Sequence, residues 1–230
     1  MNILAIETTG HVAAAALLRP DRIVAEFAVN NELTHSRVLM SLIDHALQTA
    51  DFDKGDIDYI ACSAGPGSFT GLRIGAAAAK GLAFGLCRKI VPVSTLDALA
   101  YNVSSGIVVP IMDARRGQVY TALYRREGEQ ICRLTEHLAC DIEHIIDLAR
   151  KTGEKAVFLG DGAVVHVDRI VSEDKFSLAP LGHLLQRASA VGALALQTAG
   201  EEAVEPHNFA PFYIRPSQAE RNNLETLHEL

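Results

Sequence analysis

Residues 63–75 read Ser-Ala-Gly-Pro-Gly-Ser-Phe-Thr-Gly-Leu-Arg-Ile-Gly, or SAGPGSFTGLRIG. An apolar run, Tyr59 to Ala64, leads into this glycine-rich turn, which opens into a helix of small residues. Such a turn can aim backbone N–H groups at an anion. Whether its glycines hold a nucleotide or serve packing decides what kind of α/β chain this is.

The phosphate reading fails on spacing. A Walker loop needs Gly-x-x-x-x-Gly-Lys-Ser/Thr, whose lysine reaches the phosphates. Five residues after Gly65 stands Thr70, five after Gly67 stands Leu72, and no lysine follows a glycine in the loop. A dinucleotide fingerprint needs Gly-x-Gly-x-x-Gly. Gly65 and Gly67 fit it, but the third glycine, Gly71, comes one place late. The packing reading accounts for more. Gly71, Gly75 and Ala79 are four apart and share one ridge of the following helix, while Ala77, Gly81 and Gly85 make a second ridge on another face. Each glycine inside a helix costs about 0.8–1.0 kcal/mol relative to alanine. That cost is tolerable where two neighbours approach the helix backbone closely. One is the chain's own sheet; the other is the helix over Val38–Leu47 or a second protein. The loop glycines, with Pro66, then fix a sharp strand-to-helix turn.

Outward from the loop, the chain parses twice in the same way. Asn2–Glu7 is an apolar strand ending in an acid, and VAAAALLR from Val12 and RIVAEFAV from Arg22 follow across turns. Val38, Leu39, Leu42, Ile43, Ala46 and Leu47 recur at helical spacing behind Thr34 or Ser36 as cap. DIDYIACSA is a strand, the loop leads into a helix over Gly71–Leu86, KIVPVS is another strand, and TLDALAYNV is a short helix ending near Ser104–Gly106. There the plan restarts. GIVVPIMD is a strand ending in Asp113, as the first ended in Glu7. QVYTALYRR and EQICRLTE flank a Glu-Gly turn and predict a hairpin. A helix over Asp141–Lys151, a strand in KAVFLGDGA, a long helix over Gly182–Ala199 and an extended NFAPFYIRP complete the chain. The repeat predicts two similar α/β units, residues 1–105 and 106–230, each a mixed sheet with helices, with the last segment packing back on the first.

Composition narrows the function. The chain has 230 residues, 49% of them hydrophobic, enough for real cores. Its net charge is −7 with no dense Lys/Arg block, whereas a nucleic-acid binder acting alone usually carries a basic stripe. MNILAIETTG has no basic n-region, and no apolar run is long enough to span a membrane. The four cysteines form no Cys-x-x-Cys, which fits reduced thiols and a cytoplasmic chain without membrane attachment.

GPGSFTGLRIG, then VPVSTLDALA, then MDARRGQVYTALY, with NILAIETT before and FAPFYIRP after, resembles the bacterial TsaB (YeaZ) family over nearly the whole chain. The resemblance implies two duplicated domains of the actin-like, Hsp70-like, sugar-kinase (ribonuclease H-like) type. It implies a non-catalytic subunit that dimerises with a TsaD-like catalytic subunit and works with a TsaE-like ATPase. The complex transfers threonylcarbamoyl to the adenine 3′ of the anticodon in tRNAs reading ANN codons. ATP and metal then belong to the partner subunits, no cofactor belongs to this chain alone, and tRNA is met only through the complex. An isolated chain is expected to form a homodimer through the same surface. TsaD-like proteins carry a His-x-x-x-His metal pair after the loop helix; the aligned positions here are Thr95 and Leu99. Leucine cannot ligate a metal and threonine is a rare ligand for a transition metal. His137 and His144 are seven apart, too far along a helix axis to share one ion easily.

The first half is implied as the partner side, with Val38, Leu39, Leu42, Ile43, Gly71, Gly75 and Ala78 as candidate interface residues. Glu7, Asp113, Gly160 and Gly162 are the candidates for a residual nucleotide site, since carboxylates at such strand ends hold Mg²⁺ water in actin-like ATPases. Glu7 departs from the aspartate common in the family. The competing reading of both acids is that they cap turns by accepting backbone N–H groups. Arg115 and Arg116 in DARRG belong to a solvated turn or touch RNA phosphates. The competing functions are an active actin-fold ATPase or small-molecule kinase, and a metal peptidase-like enzyme. From Thr95 and Leu99 we expect no stoichiometric metal on the isolated chain after gentle purification. Elemental analysis that finds Zn²⁺ or Fe²⁺, lost on changing two histidines, would overturn this.

Overall fold

The computed structural model describes residues 1–31 and 33–215. The first sheet begins as an antiparallel meander of β1 (Ile3–Glu7), β2 (Ala13–Arg19) and β3 (Arg22–Val29). The helix α1 (His35–Thr49) crosses to β4 (Tyr59–Gly65), and α2 (Phe69–Leu86) crosses to β5 (Lys89–Ser94). β4 lies parallel to β1, and β5 parallel to β4, giving the order β3-β2-β1-β4-β5. All five residues of β1 are buried because helices cover both faces of the sheet. Alternate residues sort cleanly between those faces. Leu4, Ile6, Ile60 and Cys62 meet α1 and α2, whereas Ile3, Ala5, Ala61 and Val91 meet the opposite layer.

The short helix α3 (Thr95–Tyr101) leads into a second sheet. It comprises β6 (Ser105–Asp113), β7 (Gln118–Thr121), β8 (Tyr124–Glu127), β9 (Gln130–Arg133), β10 (Leu138–Asp141), β11 (Ala156–Leu159) and β12 (Phe176–Leu178). Its main path, β10-β7-β6-β11-β12, repeats the first sheet's order and directions strand for strand. The helix α4 (Ile142–Lys151) stands where α1 stands in the first sheet, and α5 (Asp161–Val165) with α6 (Val167–Val171) where α2 stands. The duplicated plan read in the sequence is therefore present.

Three local readings are corrected. The hairpin strand QVYTALYRR is split: β7 pairs with the end of β6 and with β10, and β8 pairs with the start of β6 and with β9. The split falls opposite Pro110, which has no N–H to give a ladder. There the Thr121 hydroxyl donates to the Pro110 carbonyl at 2.8 Å, and Leu123 N–H donates to the Thr135 hydroxyl at 3.0 Å. Residues 138–140, unassigned in the sequence, form most of β10. The long helix expected from Gly182 begins only at Ala188 as α7 (Ala188–Glu202). The Leu184 carbonyl accepts from Gly160 N–H at 2.6 Å and the Leu185 carbonyl from the Asn102 amide at 2.9 Å, so after a single 3₁₀ turn at Leu181–His183 these carbonyls are engaged outside any α-helical ladder. α7 starts where Glu26 of β3 accepts from Ser189 N–H at 2.8 Å and from the Arg187 guanidinium at 2.7 Å. A carboxylate at a helix N-terminus complements the helix dipole.

α7 packs on the first sheet, with Gly192 against Leu18 of β2. α3 lies between the sheets; its Ala98 faces the first core, and Leu96 and Leu99 face the second. Beyond α7 the chain forms a strap. Val204 exchanges backbone bonds with Ile90 on the outer edge of β5, Phe209 is buried beside α1 and α2, and Phe212 N–H donates to the Ala64 carbonyl at 2.6 Å. The strap covers an edge that would otherwise be free to pair with another chain. Among the described residues no helix is long and apolar enough to cross a membrane.

The two glycine ridges of α2 differ in what surrounds them. A Cβ at Gly71 would lie 2.0 Å from the Thr8 carbonyl oxygen, whereas one at Gly81 meets nothing within 4 Å. Gly71→Ala is therefore expected to lower stability by about 3 kcal/mol or prevent folding, since backbone must move. Gly81→Ala is expected to raise stability by up to about 1 kcal/mol. Thermal unfolding of both variants checks the pair; equal shifts in Tm would show the ridge assignment to be wrong.

Candidate functional site

The first turn and the glycine loop are built against each other. Thr8 and Thr9 leave β1 just as Gly65–Ser68 leave β4, the adjacent parallel strand. The Thr8 hydroxyl donates to the Gly71 carbonyl at 2.8 Å, and Ser68 N–H donates to the Thr9 carbonyl at 2.7 Å. A Cβ at Gly67 would lie 2.6 Å from the Thr9 carbonyl oxygen, and one at Gly75 2.4 Å from the Thr8 hydroxyl. Gly65 has φ +118 and faces the Phe212 carbonyl of the strap. The peptide bond between Gly65 and Pro66 is cis. The loop glycines thus serve packing. Ser68 caps α2 by accepting from Gly71 N–H at 3.3 Å.

Glu7 is the pin of this arrangement. Its side chain is fully buried; one carboxylate oxygen accepts from Thr9 N–H at 2.6 Å and the Thr9 hydroxyl at 2.5 Å, and the other accepts from the Ser63 hydroxyl. Burial pushes the Glu7 carboxyl above its ordinary value, against the opposing pull of those hydrogen bonds. Burial and the nearby Glu7 also push the Cys62 thiol up, so it is inert. Glu7 does not line the cleft described next, so its turn-capping role is the one the geometry supports.

A cleft of about 370 Å³ opens between the two sheets. Its walls include Thr9, Gly10 and His11 of the first turn, the loop from Pro66 to Thr70, Asp113 and Arg115 after β6, Asp161, and Phe212–Arg215 of the strap. Asp113 is half-buried and its carboxylate accepts from Arg115 N–H at 2.8 Å. Asp161 faces His11 across the cleft at 3.9 Å, and burial holds its carboxyl above the ordinary carboxylate range. Gly160, at φ +101, and Gly162 bring α5 against β6; Cβ atoms there would lie 2.1 Å from the Ile111 carbonyl oxygen and 2.6 Å from its side chain. Of the four nucleotide-site candidates, only Asp113 therefore faces the cleft, and the two glycines are packing residues.

The interface candidates also divide. Leu39, Leu42 and Ile43 are buried in the core between α1, α2 and the first sheet, and Gly71 and Gly75 rest on Thr8. Val38 and Ala78 are half-buried. The face that reaches solvent is the other ridge of α2, where Ala77, Gly81 and Gly85 are exposed and Phe84 is 70% exposed, with Met40 of α1 46% exposed on the same layer. Thr95 and Leu99 are buried in α3, and among the described residues no group of three or more His, Cys, Asp or Glu side chains is placed to hold a metal ion. Sequence reasoning missed Asp161 and the aromatic pair Phe69 and Tyr213, whose rings stack at 4.5 Å. The aromatic residues of FAPFYIRP are the signal that could have found the latter.

Comparison with known proteins agrees with this geometry. The family profile described as TsaD: tRNA N6-adenosine threonylcarbamoyltransferase matches residues 23–222. The tRNA threonylcarbamoyladenosine biosynthesis protein TsaB of Bacillus subtilis (strain 168) is 33% identical over 231 residues, covering 98% of this chain and 99% of that one. The structure of YeaZ from Pseudomonas aeruginosa superposes with a TM-score of 0.78 at 25% identity, over 93% of this chain and 99% of that one. Component A of the (R)-2-hydroxyglutaryl-CoA dehydratase of Acidaminococcus fermentans shares the fold alone, with a TM-score of 0.50 at 14% identity over 87% of this chain and 100% of that one. The fold is thus the duplicated actin-like, Hsp70-like, sugar-kinase type. At 33% identity over 98% of its length to a TsaB protein, with a YeaZ structure superposing over 93% of it, the chain belongs to the TsaB (YeaZ) family.

Proposed function

We propose that the chain acts in threonylcarbamoylation of tRNA as a non-catalytic subunit, pairing with a TsaD-like catalytic subunit and supporting it together with a TsaE-like ATPase. ATP and metal are then carried by those partners and none by this chain, and the site of action is the cytoplasm. Family membership supports the pathway. One structural observation carries the mode of action. The outer ridge of α2 has two mid-helix glycines, Gly81 and Gly85, that no part of the described chain approaches within 4 Å of a built Cβ. Their helix cost of about 0.8–1.0 kcal/mol each has no offset among the described residues. A partner helix packed closely on that ridge supplies one, since small residues let axes approach at the short end of 8–10 Å. A related fold, sharing the same family profile, is a natural occupant. A second copy of this chain can take the same place when the partner is absent.

The test targets the open ridge, since Gly75 rests on Thr8. Gly81→Trp combined with Phe84→Asp is expected to retain the parent's circular dichroism and lose at least tenfold in co-purification with the organism's TsaD-like chain. Threonylcarbamoyladenosine in tRNA should fall with it. A folded double variant that still assembles and supports modification fully would sink the proposed surface.

The structural role of Glu7 has its own readout in stability. Its folded pKa lies above the ordinary 4.5, so the native state loses stability relative to the unfolded chain as pH rises from that value through the folded one. Glu7→Gln keeps an acceptor for Thr9 and cannot ionise. Its stability relative to the parent is expected to improve over that window and then level off, with tRNA modification intact. Urea unfolding across pH 4.5–9 measures this; a parent that gains on the variant as pH rises contradicts it.

A further inference from the structure

Some arginines of this acidic chain are paired with carboxylates among the described residues, and others, Arg37 of α1 among them, are not. Arg125, Arg150, Arg169 and Arg187 are each held by a carboxylate at 2.5–2.7 Å. Arg73, Arg115 and Arg116 are exposed and have no carboxylate partner among the described residues. Those three gather at the mouth of the cleft between the sheets. Arg115 lines it, Arg116 follows in the same turn, and Arg73 lies 4.2 Å over the ring of Phe69, which lines the opposite lip.

The backbone presents the pair outward. Arg115 and Arg116 stand at φ 65 and φ 56, followed by Gly117 at φ 73. A left-handed non-glycine residue costs about 1–2 kcal/mol, and two in succession are uncommon. The turn is held by Asp113, whose carboxylate accepts from Arg115 N–H, and by Ala114 N–H donating to the Gln118 carbonyl at 2.9 Å. Across the cleft mouth, the stack of Arg73, Phe69 and Tyr213 ends in Tyr213, which is 37% exposed. Unpaired arginines beside an accessible aromatic stack are the combination that binds single-stranded nucleic acid, through phosphate contacts and base stacking.

We propose that this lip, Arg115 and Arg116 facing the Arg73–Phe69–Tyr213 stack, is a docking point for single-stranded RNA, taking backbone phosphates on the arginines and an unstacked base on Tyr213. The assignment rests on the tRNA-modification reading for its biological setting and deepens it by giving this chain a contact of its own with the RNA. The two carboxylates in the cleft do not oppose it strongly. Asp113 is engaged by backbone, and Asp161 faces His11 at 3.9 Å. With a net charge of −7, the chain holds RNA weakly alone, and the lip adds to a larger surface in a complex.

The test uses the full chain and a fluorescent 12-nucleotide single-stranded RNA, titrated at low and at physiological salt. Arg115→Glu/Arg116→Glu is expected to weaken binding at least tenfold at low salt and to flatten the log–log salt slope by about 1.4, the value for two phosphate contacts on a single strand. Tyr213→Ala is expected to weaken binding about tenfold with the slope unchanged, because stacking releases no counterions. Lys151→Glu/Lys155→Glu makes the same charge change away from the cleft and should have little effect. Absence of binding by the parent, an unaltered Arg115→Glu/Arg116→Glu variant, or an equal loss in the lysine variant would overturn the proposal. Co-purification of Arg115→Glu/Arg116→Glu with the TsaD-like chain, expected to be unchanged, reads the partner assignment separately.

Discussion

The structure depends on one close approach, that of the glycine loop to the turn after the first strand. Thr8 and Thr9 touch the backbone of residues 67–75 at distances that leave no room for a Cβ at Gly67, Gly71 or Gly75. Glu7 holds that turn in place with three hydrogen bonds inside a fully buried pocket, two to Thr9 and one to Ser63. Burial raises its pKa while the three donors pull the other way, and the geometry makes the site a hydrogen-bond hub. The position of α2 follows from this contact, and with it both the core beneath the helix and the ridge above it.

The second sheet repeats the first in strand order, yet its corresponding acid does a different job. Glu7 turns inward because Thr9 and Ser63 offer it donors. Asp113 ends the equivalent strand but bonds only to the backbone of the next turn, and it stays half-buried at the cleft. The left-handed run at Arg115–Gly117 is the consequence on that side. Two copies of one supersecondary plan thus meet across a cleft whose walls are chemically unlike, one made of packed glycines and threonines and the other of acids and arginines. The strap from Val204 to Arg215 runs along the first sheet's edge and forms part of the wall.

The small residues of α2 show how one helix can carry two instructions. Its inner ridge is explained atom by atom by Thr8, and replacing those glycines removes the fit. Its outer ridge leaves Gly81 and Gly85 open and Phe84 largely in water. An exposed helix face would be more stable with alanine at both positions. The partner surface proposed above would give that forgone stability a reason.

The sequence by itself determined the repeated α/β plan, the strands β1, β4, β5 and β6, the helices α1, α2, α3 and α4, and the packing role of the loop glycines. Each of these is local: a period of two or 3.6, a cap, or a spacing that a nucleotide motif forbids. It did not reveal β10 or β12: they are placed by pairing with β7 and β11, contacts that no local period encodes. Nor did it reveal the late start of α7, since an alanine-rich run is helical by propensity and only the bonds from Gly160 and Asn102 to the carbonyls of residues 184–185 divert the chain before Ala188. The candidate site was legible in its residue types and not in their directions. Leu39, Leu42 and Ile43 sit on a stripe that reads equally as core or as interface, and burial against the first sheet made them core. Only tertiary structure could turn Glu7 inward and Asp113 toward the cleft, because which donors stand within 3 Å of a carboxylate depends on residues such as Ser63 that are 56 positions away in the chain.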